Sequence, residues 1–330
     1  MSAVTWLDAS SELTGLPWPD DWPVLTASDI ARQQPDASVV LRRGPGAVAR
    51  ASVWWRRGPA AGVGLIGHYG AIDAAAGNAV LEAACAALSA RGCSHAIGPV
   101  DGSTWERYRL ALPGFDAPPF LLEPVQPTSW SAHFVQAGFA DVGRYRSDRA
   151  PLEVLASRAR QDVERRLTSQ GVTITTFADH PPEHVIDAIH AVSLEAFASA
   201  PWFTPIDAAT LQAQYASAIP LADPAFVQLA WLHNAPAGFV FAVPDLLDAR
   251  RTGQRPTALV LKSVAVRPAV PALAGLGGLL LARVATNALA RGMHDGIHAL
   301  MRDDNASALA FGGDRATTIR RYALYGRRLP

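Results

Sequence analysis

Three glycines at the start of an apolar run have the clearest potential for chemistry. Gly275, Gly277 and Gly278 lie where a β-branched stretch (257–266, TALVLKSVAV) leads into a helix predicted over about 275–291. The first turn of a helix carries backbone N–H groups without internal acceptors and a partial positive charge, so it attracts anions, phosphates above all. Glycine leaves these amides uncovered because it has no side chain. The stretch therefore predicts a diphosphate site, with close packing of strand on helix as the alternative role of the glycines.

Two common phosphate-binding motifs do not fit this stretch. A P-loop requires Lys followed by Ser or Thr after the glycines, and neither follows here. The dinucleotide motif G-x-G-x-x-G is incomplete, because Leu280 occupies its last position. In a dinucleotide fold the glycines also lie in the first strand–helix turn, whereas these lie late in their half of the chain.

Lys262, the single lysine of the sequence, lies in the strand that precedes the glycines. Alternation along a strand predicts that its side chain shares a face with Val264 and Val266. A buried lysine is rare unless paired, and its amine could polarise a substrate or bind a substrate carboxylate. An ion pair with Asp245, or a stem that carries the amine to solvent, is the structural alternative.

Neither a metal site nor a hydrolase triad is predicted. His180 with His184, and His294 with His298, have the spacing of metal ligands, but neither pair has a clear third ligand. The sequence contains no G-x-S-x-G motif, which excludes one common arrangement of a serine nucleophile.

Composition and charge narrow the class of protein. The 330 residues carry 29 basic and 29 acidic side chains, so neither nucleic acid nor an anionic membrane is expected as a partner. Cys85 and Cys93 give no disulfide framework and no metal-ligand spacing, which suits a reducing compartment. The N-terminus lacks the pattern of a secretion signal, and no run is expected to reach the ~18 apolar residues of a membrane span. We expect a soluble, cytoplasmic protein.

The predicted elements fall into two similar halves. The second reads β-α-α-β-β-β-α-β-α-β, and the first also contains a hairpin, a long helix (78–91), a short strand and a short helix. At ~100 to 200 residues per domain, the length favours two domains. We expect a diverged tandem duplication of an α/β fold, each copy a mixed central sheet flanked by helices. The predicted boundaries are 1–150 for the first domain, 151–170 for a helical connector and 171–330 for the second domain.

Two segments of the second half resemble one known family. LKSVAVRPAVPALAGLGGLLLARVATNALARG contains a strand that ends in V-x-P, a glycine-rich loop and a helix start. GIHALMRDDNASALAFGG is a strand followed by an Asn at a predicted helix start. Together they resemble the acetyl-CoA motifs of the GCN5-related N-acetyltransferase (GNAT) superfamily, over roughly 171–330. The departures are Ala272, where the family has Gln or Arg, and a loop one residue longer than usual after Pro268.

The resemblance implies that the second domain binds acetyl-CoA. The pantetheine arm would pair with the backbone of Val264 and Val266, where neighbouring parallel strands splay. Asn305 and Ser307 would contact the cofactor arm, and Asn305 could also be a plain helix cap. Because of Ala272, the grip on the diphosphate is expected to rest on backbone amides alone. Those amides belong to Ala274, Gly275, Leu276, Gly277 and Gly278.

The resemblance also implies direct attack of an amine on the thioester, without a covalent enzyme intermediate. Such transfer needs a neutral amine, a polarised carbonyl and a proton donor for the departing thiolate. Many members of the family place a Tyr seven positions after the Asn, but this chain has Gly312 there. The catalytic candidates are therefore Tyr325, which is preferred, Tyr322 and Lys262. Simple packing is the alternative role of both tyrosines.

The acceptor site is predicted beside the first two helices of the second half. Trp202 and Phe203 fall where the family has its acceptor lid, and Asp245, at the end of a hairpin strand, could hold a cationic acceptor. The acceptor would be the amine of a small molecule, with a peptide as the second class. A homodimer stays open, because periodic faces do not distinguish contacts between domains from contacts between molecules.

The first domain resembles the same family without its cofactor motif. Gly77 is the only glycine at the start of its long helix, and no V-x-P precedes it. We therefore interpret this domain as a degenerate copy that no longer binds the cofactor. Its segments IGPVDGSTWERYRL and PFLLEP either complete the acceptor site or pack against the second half. For the whole chain, transfer of a longer acyl group and a non-catalytic role as an acyl-CoA sensor or scaffold are the alternatives to acetyl transfer.

Overall fold

The computed structural model describes residues 2–156, 161–215, 222–304 and 313–330. Its strands, β1 to β13 in chain order, are Ser2–Trp6, Ala37–Arg43, Gly46–Trp54, Val63–Ala71, His95–Gly98, Leu110–Ala111, Ala140–Pro151, Val172–Thr176, Val227–Leu232, Ala235–Pro244, Ala258–Val266, Asp295–Arg302 and Thr317–Arg328. Its helices, α1 to α9, are Ala27–Gln33, Ala74–Ala90, Trp130–Gln136, Leu152–Ala156, Gln161–Ser169, Pro182–Ala196, Ala208–Tyr215, Leu246–Thr252 and Leu276–Ala290. The predicted α/β fold, a mixed sheet flanked by helices, is confirmed.

One sheet runs through the described part of the chain, in the order β1-β2-β3-β4-β5-β13-β7-β12-β11-β10-β9-β8, with β6 paired to β13. Two neighbouring pairs are parallel, β4 with β5 and β11 with β12. The long helices α2 and α9 connect the members of these pairs, because parallel neighbours need a crossover connection. Each half of the chain therefore contains one strand–helix–strand unit of the same kind.

The two halves exchange strands at the centre of the sheet. The last strand, β13, pairs with β5 of the first half, and β7 of the first half pairs with β12 of the second. β7 and β13 also pair with each other. Neither predicted domain therefore holds all of its sheet within its own sequence range. The domain boundaries stay a prediction, and α4 and α5 lie within the predicted connector 151–170.

Helix α9 lies at the core of the second half. Leu276, Leu280, Val284 and Ala288 follow helical spacing, and all four are completely buried. By length and composition, the segment Pro271–Ala290 would also qualify as a membrane-spanning helix, and half of its apolar window is buried inside the fold. Arg283, Thr286 and Asn287 interrupt this segment, so it is not an unbroken run of ~18 apolar residues. Packing on the sheet explains the apolar face of α9.

The second half follows the predicted order of elements closely. The strand predicted at 257–266 is β11, the helix predicted at about 275–291 is α9, and the strand predicted at 296–301 is β12. The turn HNAP joins β9 and β10 in the predicted hairpin. Helix α8 has no counterpart among the predicted elements. These strands and helices position the site described next.

Candidate functional site

Strands β11 and β12 part in the middle of the second half. They pair in parallel over four residue pairs that end at Leu261 and His298. Beyond Leu261, β11 pairs only with β10, on its other edge, within the described part of the chain. The unpaired edge carries Val264 and Val266, at the place where the sequence predicts a splay. Backbone N–H and C=O groups on such an edge can pair with an extended ligand.

The course of β12 changes where it leaves β11. Leu300 has a positive φ of 60°, and the register of β12 against β7 shifts between His298 and Met301. The amide of Leu300 donates a hydrogen bond to Ser147 Oγ at 3.0 Å. A leucine in the left-handed region is uncommon. This irregularity lies where the pairing of β12 with β11 ends, and we call the region between their unpaired ends the cleft.

The amino end of α9 lies against this cleft. Gly275 precedes the helix with a φ of 81°, a left-handed conformation that favours glycine, and no side chain caps the first turn. Among the described residues, no acceptor pairs with the amides of Leu276, Gly277 and Gly278. A Cβ atom built on Gly277 would lie 3.5 Å from Val266 Cγ2. The bare first turn is therefore next to the splayed end of β11, with its amides open to an anion.

A guanidinium group reaches the glycine-rich loop from the connector. Arg166 of α5 donates from Nη1 to the carbonyl of Ala272 at 3.3 Å and from Nη2 to the carbonyl of Ala274. A Cβ atom built on Gly275 would lie 3.0 Å from Val163 Cγ1, so α5 packs directly on the loop. Arg166 thus places a positive charge at the loop in which this chain has Ala272 instead of the Gln or Arg of the resembled motif. Sequence reasoning missed it, because no local pattern links residues that are 106 positions apart.

A β-bulge changes the direction of Lys262. The register of β10 against β11 shifts here, so that Lys262 has no partner residue on β10. Leu261 and Val264 both pack with the apolar cluster around α9. The two residues between them, Lys262 and Ser263, therefore interrupt the alternation. The expectation that Lys262 shares a face with Val264 and Val266 is wrong, because a bulge inserts one residue into the pleat.

Lys262 is half-buried, and its amine lies near a second positive charge. Its pKa falls to about 7, mainly through burial and then through the charge of Arg109. Within the described ranges, Lys262 forms no ion pair, so the alternative pairing with Asp245 does not occur. An amine with this pKa is largely uncharged slightly above neutral pH, and only the uncharged form can accept a proton.

The first half of the chain packs against this region. Trp105 Nε1 donates to the carbonyl of Thr204 at 2.9 Å, and Gln214 Nε2 donates to the carbonyl of Trp105 at 2.8 Å. Arg109 Nη1 donates to the carbonyl of Leu300 at 2.9 Å, at the irregularity in β12. The segment IGPVDGSTWERYRL therefore forms the packing contact that was one of its two predicted roles. The other role, completion of the acceptor site, stays a prediction.

Three polar atoms near Trp105 are buried without a hydrogen-bond partner among the described residues. They are Trp202 Nε1, Thr204 Oγ1 and Gln214 Oε1. The ring centroid of Phe203 lies 5.8 Å from that of Trp105, and Trp202 has a φ of 64°. A buried unpaired polar group costs about 1–3 kcal/mol, so it marks a place where water or a ligand can bind. Trp202 and Phe203 lie beside these groups.

The two candidate tyrosines lie in different surroundings. The buried hydroxyl of Tyr322 donates to Glu123 Oε1 at 2.6 Å and lies 3.1 Å from Ser147 Oγ. Burial and then the charge of Glu123 raise the pKa of Tyr322 above its usual range. Tyr325 stacks on Phe134 in the core of the first half, where burial raises its pKa to about 12. The structure therefore does not bring Tyr325, the preferred acid, to the cleft. Ser147 Oγ bonds both to the hydroxyl of Tyr322 and to the amide of Leu300, so Tyr322 is linked to the edge of the cleft.

Asp245 is bound to backbone groups of the protein itself. Its Oδ1 atom accepts hydrogen bonds from the amide of Leu121 at 2.9 Å and from the amide of Asp248 at 3.3 Å. Only 1% of Asp245 is exposed. It caps the start of α8 and ties it to the first half. Because this carboxylate is buried and engaged, we assign Asp245 to the fold and no longer to the acceptor site.

The first half has a corresponding break in its parallel pair, but its own chain fills the space. β4 and β5 pair over three residues, and Val100 N then donates to Ile66 O at 2.8 Å. Asp101 Oδ1 accepts a hydrogen bond from the amide of His68 at 2.6 Å. A Cβ atom built on Gly67 would lie only 2.2 Å from Val100 O. Backbone thus occupies the place that stays open beside β11.

Asn305, Ser307 and Gly312 lie outside the described residues, and the roles given to them stay predictions. In the described ranges, no group of three His, Cys, Asp or Glu side chains could hold a metal ion. His180 and His184 both pack their rings against Trp231.

Comparison with known proteins gives one related sequence. The chain matches no known protein-family model. It is 28% identical over 192 residues to the bacterial ceramide synthase of Caulobacter vibrioides, which covers 56% of this chain and 49% of that protein. The match therefore spans about half the length of this curated relative.

Solved structures are similar along the whole chain. A tandem GNAT protein from the clavulanic acid biosynthesis pathway has a TM-score of 0.51 at 12% identity and covers 99% of this chain and 98% of its own. A probable N-acyltransferase from Enterococcus faecalis has a TM-score of 0.58 at 11% identity, with 100% and 73% covered. The glucosamine N-acetyltransferase region of a fungal β-N-acetylglucosaminidase has a TM-score of 0.55 at 15% identity, with 99% and 38% covered. At such identities, these likenesses concern the fold.

The assignment of Asp245 to the fold can be tested by mutation. Asp245→Ala should lower the free energy of unfolding by about 1–3 kcal/mol, because it removes a helix cap and leaves the amide of Leu121 unpaired. Asp248→Ala, which removes a partly exposed ion pair with Arg251, is the control and should cost less than ~1 kcal/mol. Urea unfolding measures both. An unchanged stability for Asp245→Ala would contradict the assignment.

Proposed function

Because the chain has the tandem fold of the GCN5-related N-acetyltransferases, we propose that its second half binds an acyl-CoA and transfers the acyl group to an amine. The observation that carries this proposal is the bare amino end of α9 beside the unpaired edge of β11. A helix end of this kind suits a diphosphate, and an unpaired strand edge suits the amide-containing arm of CoA.

The residues present fit such a donor. The pantetheine arm would pair with the backbone of Val264 and Val266, and the amides of 275–278 would face the diphosphate. The amide of Ala274, predicted to join them, instead donates to Pro271 O at 3.1 Å. A side chain at Gly277 would occupy the space next to the methyl groups of both valines. Arg166 adds a positive charge at the same loop, so the grip is not expected to rest on amides alone. When bound, the donor supplies an activated thioester carbonyl.

Lys262 is our candidate for the proton acceptor. Its low pKa leaves the Lys262 amine uncharged near neutral pH, so it can accept the proton that the nitrogen of the attacking amine loses as the amide forms. Tyr322 and Tyr325 are less suited to donate a proton, because Tyr322 is engaged by Glu123 and Tyr325 packs in the first half. Trp202 and Phe203 would border the acceptor, with the unpaired indole N–H of Trp202 available to a polar group on it.

Two candidate activities differ in the length of the acyl group that is transferred. Acetyl transfer is the activity named for several proteins of similar fold. A longer acyl group is favoured by the Caulobacter vibrioides relative, whose name is that of a ceramide synthase. A ceramide is the amide of a fatty acid with a long-chain amino alcohol. This relative therefore favours a fatty acyl donor and an amino alcohol as the acceptor.

A panel of donors and acceptors tests the proposal. We expect thiol release from acyl-CoA only when an amine is present, measured with acetyl-, octanoyl- and palmitoyl-CoA against glucosamine, lysine and a long-chain amino alcohol. Gly277→Asp should reduce release at least tenfold through bulk and charge repulsion, whereas Gly15→Asp, in open space, should not. Binding of every donor without release by any acceptor would favour the sensor or scaffold.

Arg166 should contribute to donor affinity through the phosphates. Arg166→Gln keeps a hydrogen-bond donor for the loop carbonyls but removes the charge, so the Kd for CoA should rise about tenfold. The affinity for pantetheine, which lacks phosphates, should stay unchanged. Arg165→Gln, an exposed neighbour paired with Asp162, is the matched control. Calorimetry measures the Kd of both ligands for the wild type and the two variants, and an unchanged CoA affinity in Arg166→Gln would exclude this contribution.

The pKa of Lys262 should appear in the pH profile. The amine acts when deprotonated, so kcat/KM should rise as pH increases through about 7 and then level off. Lys262→Met should lose this limb and about 10²-fold in rate. The acceptor in this measurement should have an amine whose pKa lies below the pH range tested, so that its own titration does not contribute to the profile. The same limb in Lys262→Met would assign the titration to another group.

A further inference from the structure

Leu300 lies in β12 just beyond the point where this strand leaves β11. The register of β12 against β7 shifts between His298 and Met301, so that two residues of β12 lie opposite Ser147 alone. One of these two is Leu300, whose φ of 60° lies in the left-handed region. A residue with a branched side chain keeps this conformation only where its surroundings impose it. The contacts of Leu300 therefore also hold the irregularity at the cleft.

Both backbone polar groups of Leu300 are bound by side chains of the first half. Its N–H group donates to Ser147 Oγ at 3.0 Å, and its carbonyl accepts from Arg109 Nη1 at 2.9 Å. These partners lie 153 and 191 positions away in the sequence. In a continuous sheet, the backbone groups of a strand bond to the backbone of its neighbours. Here the side chains take over this role, so the parallel pairing ends without leaving these groups unpaired.

Arg109 is held in place by its own surroundings. It is 6% exposed, and its backbone amide donates to Pro99 O at 3.0 Å. Its guanidinium lies between two aromatic rings, 3.8 Å from the centroid of Tyr108 and 4.2 Å from that of Tyr145. A guanidinium stacked in this way has little freedom to reorient. The bond to Leu300 therefore comes from a rigid part of the first half.

Ser147 is held in a similar way. It is completely buried, and its Oγ atom lies 3.1 Å from the hydroxyl of Tyr322. That hydroxyl donates to Glu123 Oε1 at 2.6 Å, and Arg320 Nε donates to the same oxygen at 2.9 Å. Because the proton of Tyr322 goes to Glu123, Ser147 donates to Tyr322 and accepts from the amide of Leu300. Its orientation is therefore determined by a buried chain of hydrogen bonds.

The guanidinium of Arg109 also lies near the other side of the cleft. Leu261 and His298 form the last parallel pair, so Lys262 is the first residue of β11 beyond it. The charge of Arg109 acts on this amine and, after burial, is the second cause of its pKa of about 7. One side chain thus bonds to β12 at Leu300 and acts on β11 at Lys262.

Other charged groups on the elements packed against β11 have different partners. β10 carries no charged residue, and burial lowers the pKa of His298 on β12 to about 4, so its ring is neutral at pH 7. The titratable and charged groups on α6 and α9 are Glu183, His184, Asp187, His190, Glu195 and Arg283. Glu195 pairs with Arg267, and Arg283 pairs with Glu164. Among these groups and Arg109, it is Arg109 whose charge acts on Lys262.

We propose that Arg109 is a positioning residue through which the first half shapes the cleft of the second. It holds the carbonyl of Leu300 on β12 and keeps a positive charge beside the amine of Lys262 on β11. The first half, whose own gap is filled by backbone, would in this way set the geometry and the charge of the open cleft. The significance of this role for catalysis rests on the proposed function, whereas the role itself can be measured without a substrate.

Titration of Lys262 tests the effect of the charge. Lys262 is the single lysine, so protein labelled with an NMR-active carbon isotope at lysine Cε gives one lysine signal. Its pKa should be about 7 in the wild type and higher by about 0.5 in Arg109→Met, because a repelling charge is removed. Arg109→Lys, which keeps the charge, should restore most of the difference. Arg107→Met, which removes the partner of Asp101 from the same loop, is the matched control and should titrate as the wild type.

Hydrogen exchange tests the hold on Leu300. In Arg109→Met, the amide of Leu300 should exchange about tenfold faster, although its acceptor Ser147 is unchanged. Arg107→Met should leave this rate as in the wild type. Near-ultraviolet circular dichroism checks that each variant is folded. An unchanged pKa of Lys262, or an unchanged exchange rate of Leu300, in folded Arg109→Met would overturn the proposal.

Kinetics separate this proposal from the proposed function. If Lys262 accepts the proton during acyl transfer, the pH limb of kcat/KM should move upward in Arg109→Met by the same interval as the NMR titration. A shifted titration of Lys262 together with an unshifted limb would support the role of Arg109. The same result would count against Lys262 as the proton acceptor.

Discussion

The separation of β11 from β12 after four residue pairs is the constraint on which the proposed chemistry depends. It frees one edge of β11, and the crossover connection brings the amino end of α9 to the same place. A left-handed Leu300 in β12 and a bulge at Lys262 in β11 accompany the break. Without these irregularities, the parallel pair would continue, and the backbone groups of Val264 and Val266 would bond to β12.

The two halves share an architecture, but they differ in whether a loop fills the gap beyond the short parallel pair of strands. Both contain a short parallel pair connected by a long helix. In the first half, Val100 and Asp101 fold back over Gly67 and bond to β4, so the protein itself fills the gap. The same segment continues to Trp105 and Arg109, which contact the second half. The segment that fills the gap in the first half therefore also packs against the second half.

Much of the second half could be predicted from local sequence, because periodicity and glycine positions report directly on strands, helices and turns. β11, α9 and the bare first turn of α9 were accessible in this way. The bulge at Lys262 could not be predicted, because the alternation of side chains along a strand holds only where no residue is inserted. Arg166, the cap formed by Asp245 and the packing of Tyr325 against Phe134 depend on contacts between distant segments.

The position of β13 has a consequence for how the chain reaches its native state. This strand is synthesised after β5 and β7, yet it lies between them and joins the two parts of the sheet. Until it arrives, the growing chain exposes the unpaired edge of β5, and exposed strand edges favour association with other chains. The sheet of the first half therefore cannot be completed until β13 has been synthesised and pairs with β5. Pairing of β13 with β5 joins elements more than 200 positions apart, and the bond from Ser89 Oγ to Pro330 O spans 241 positions.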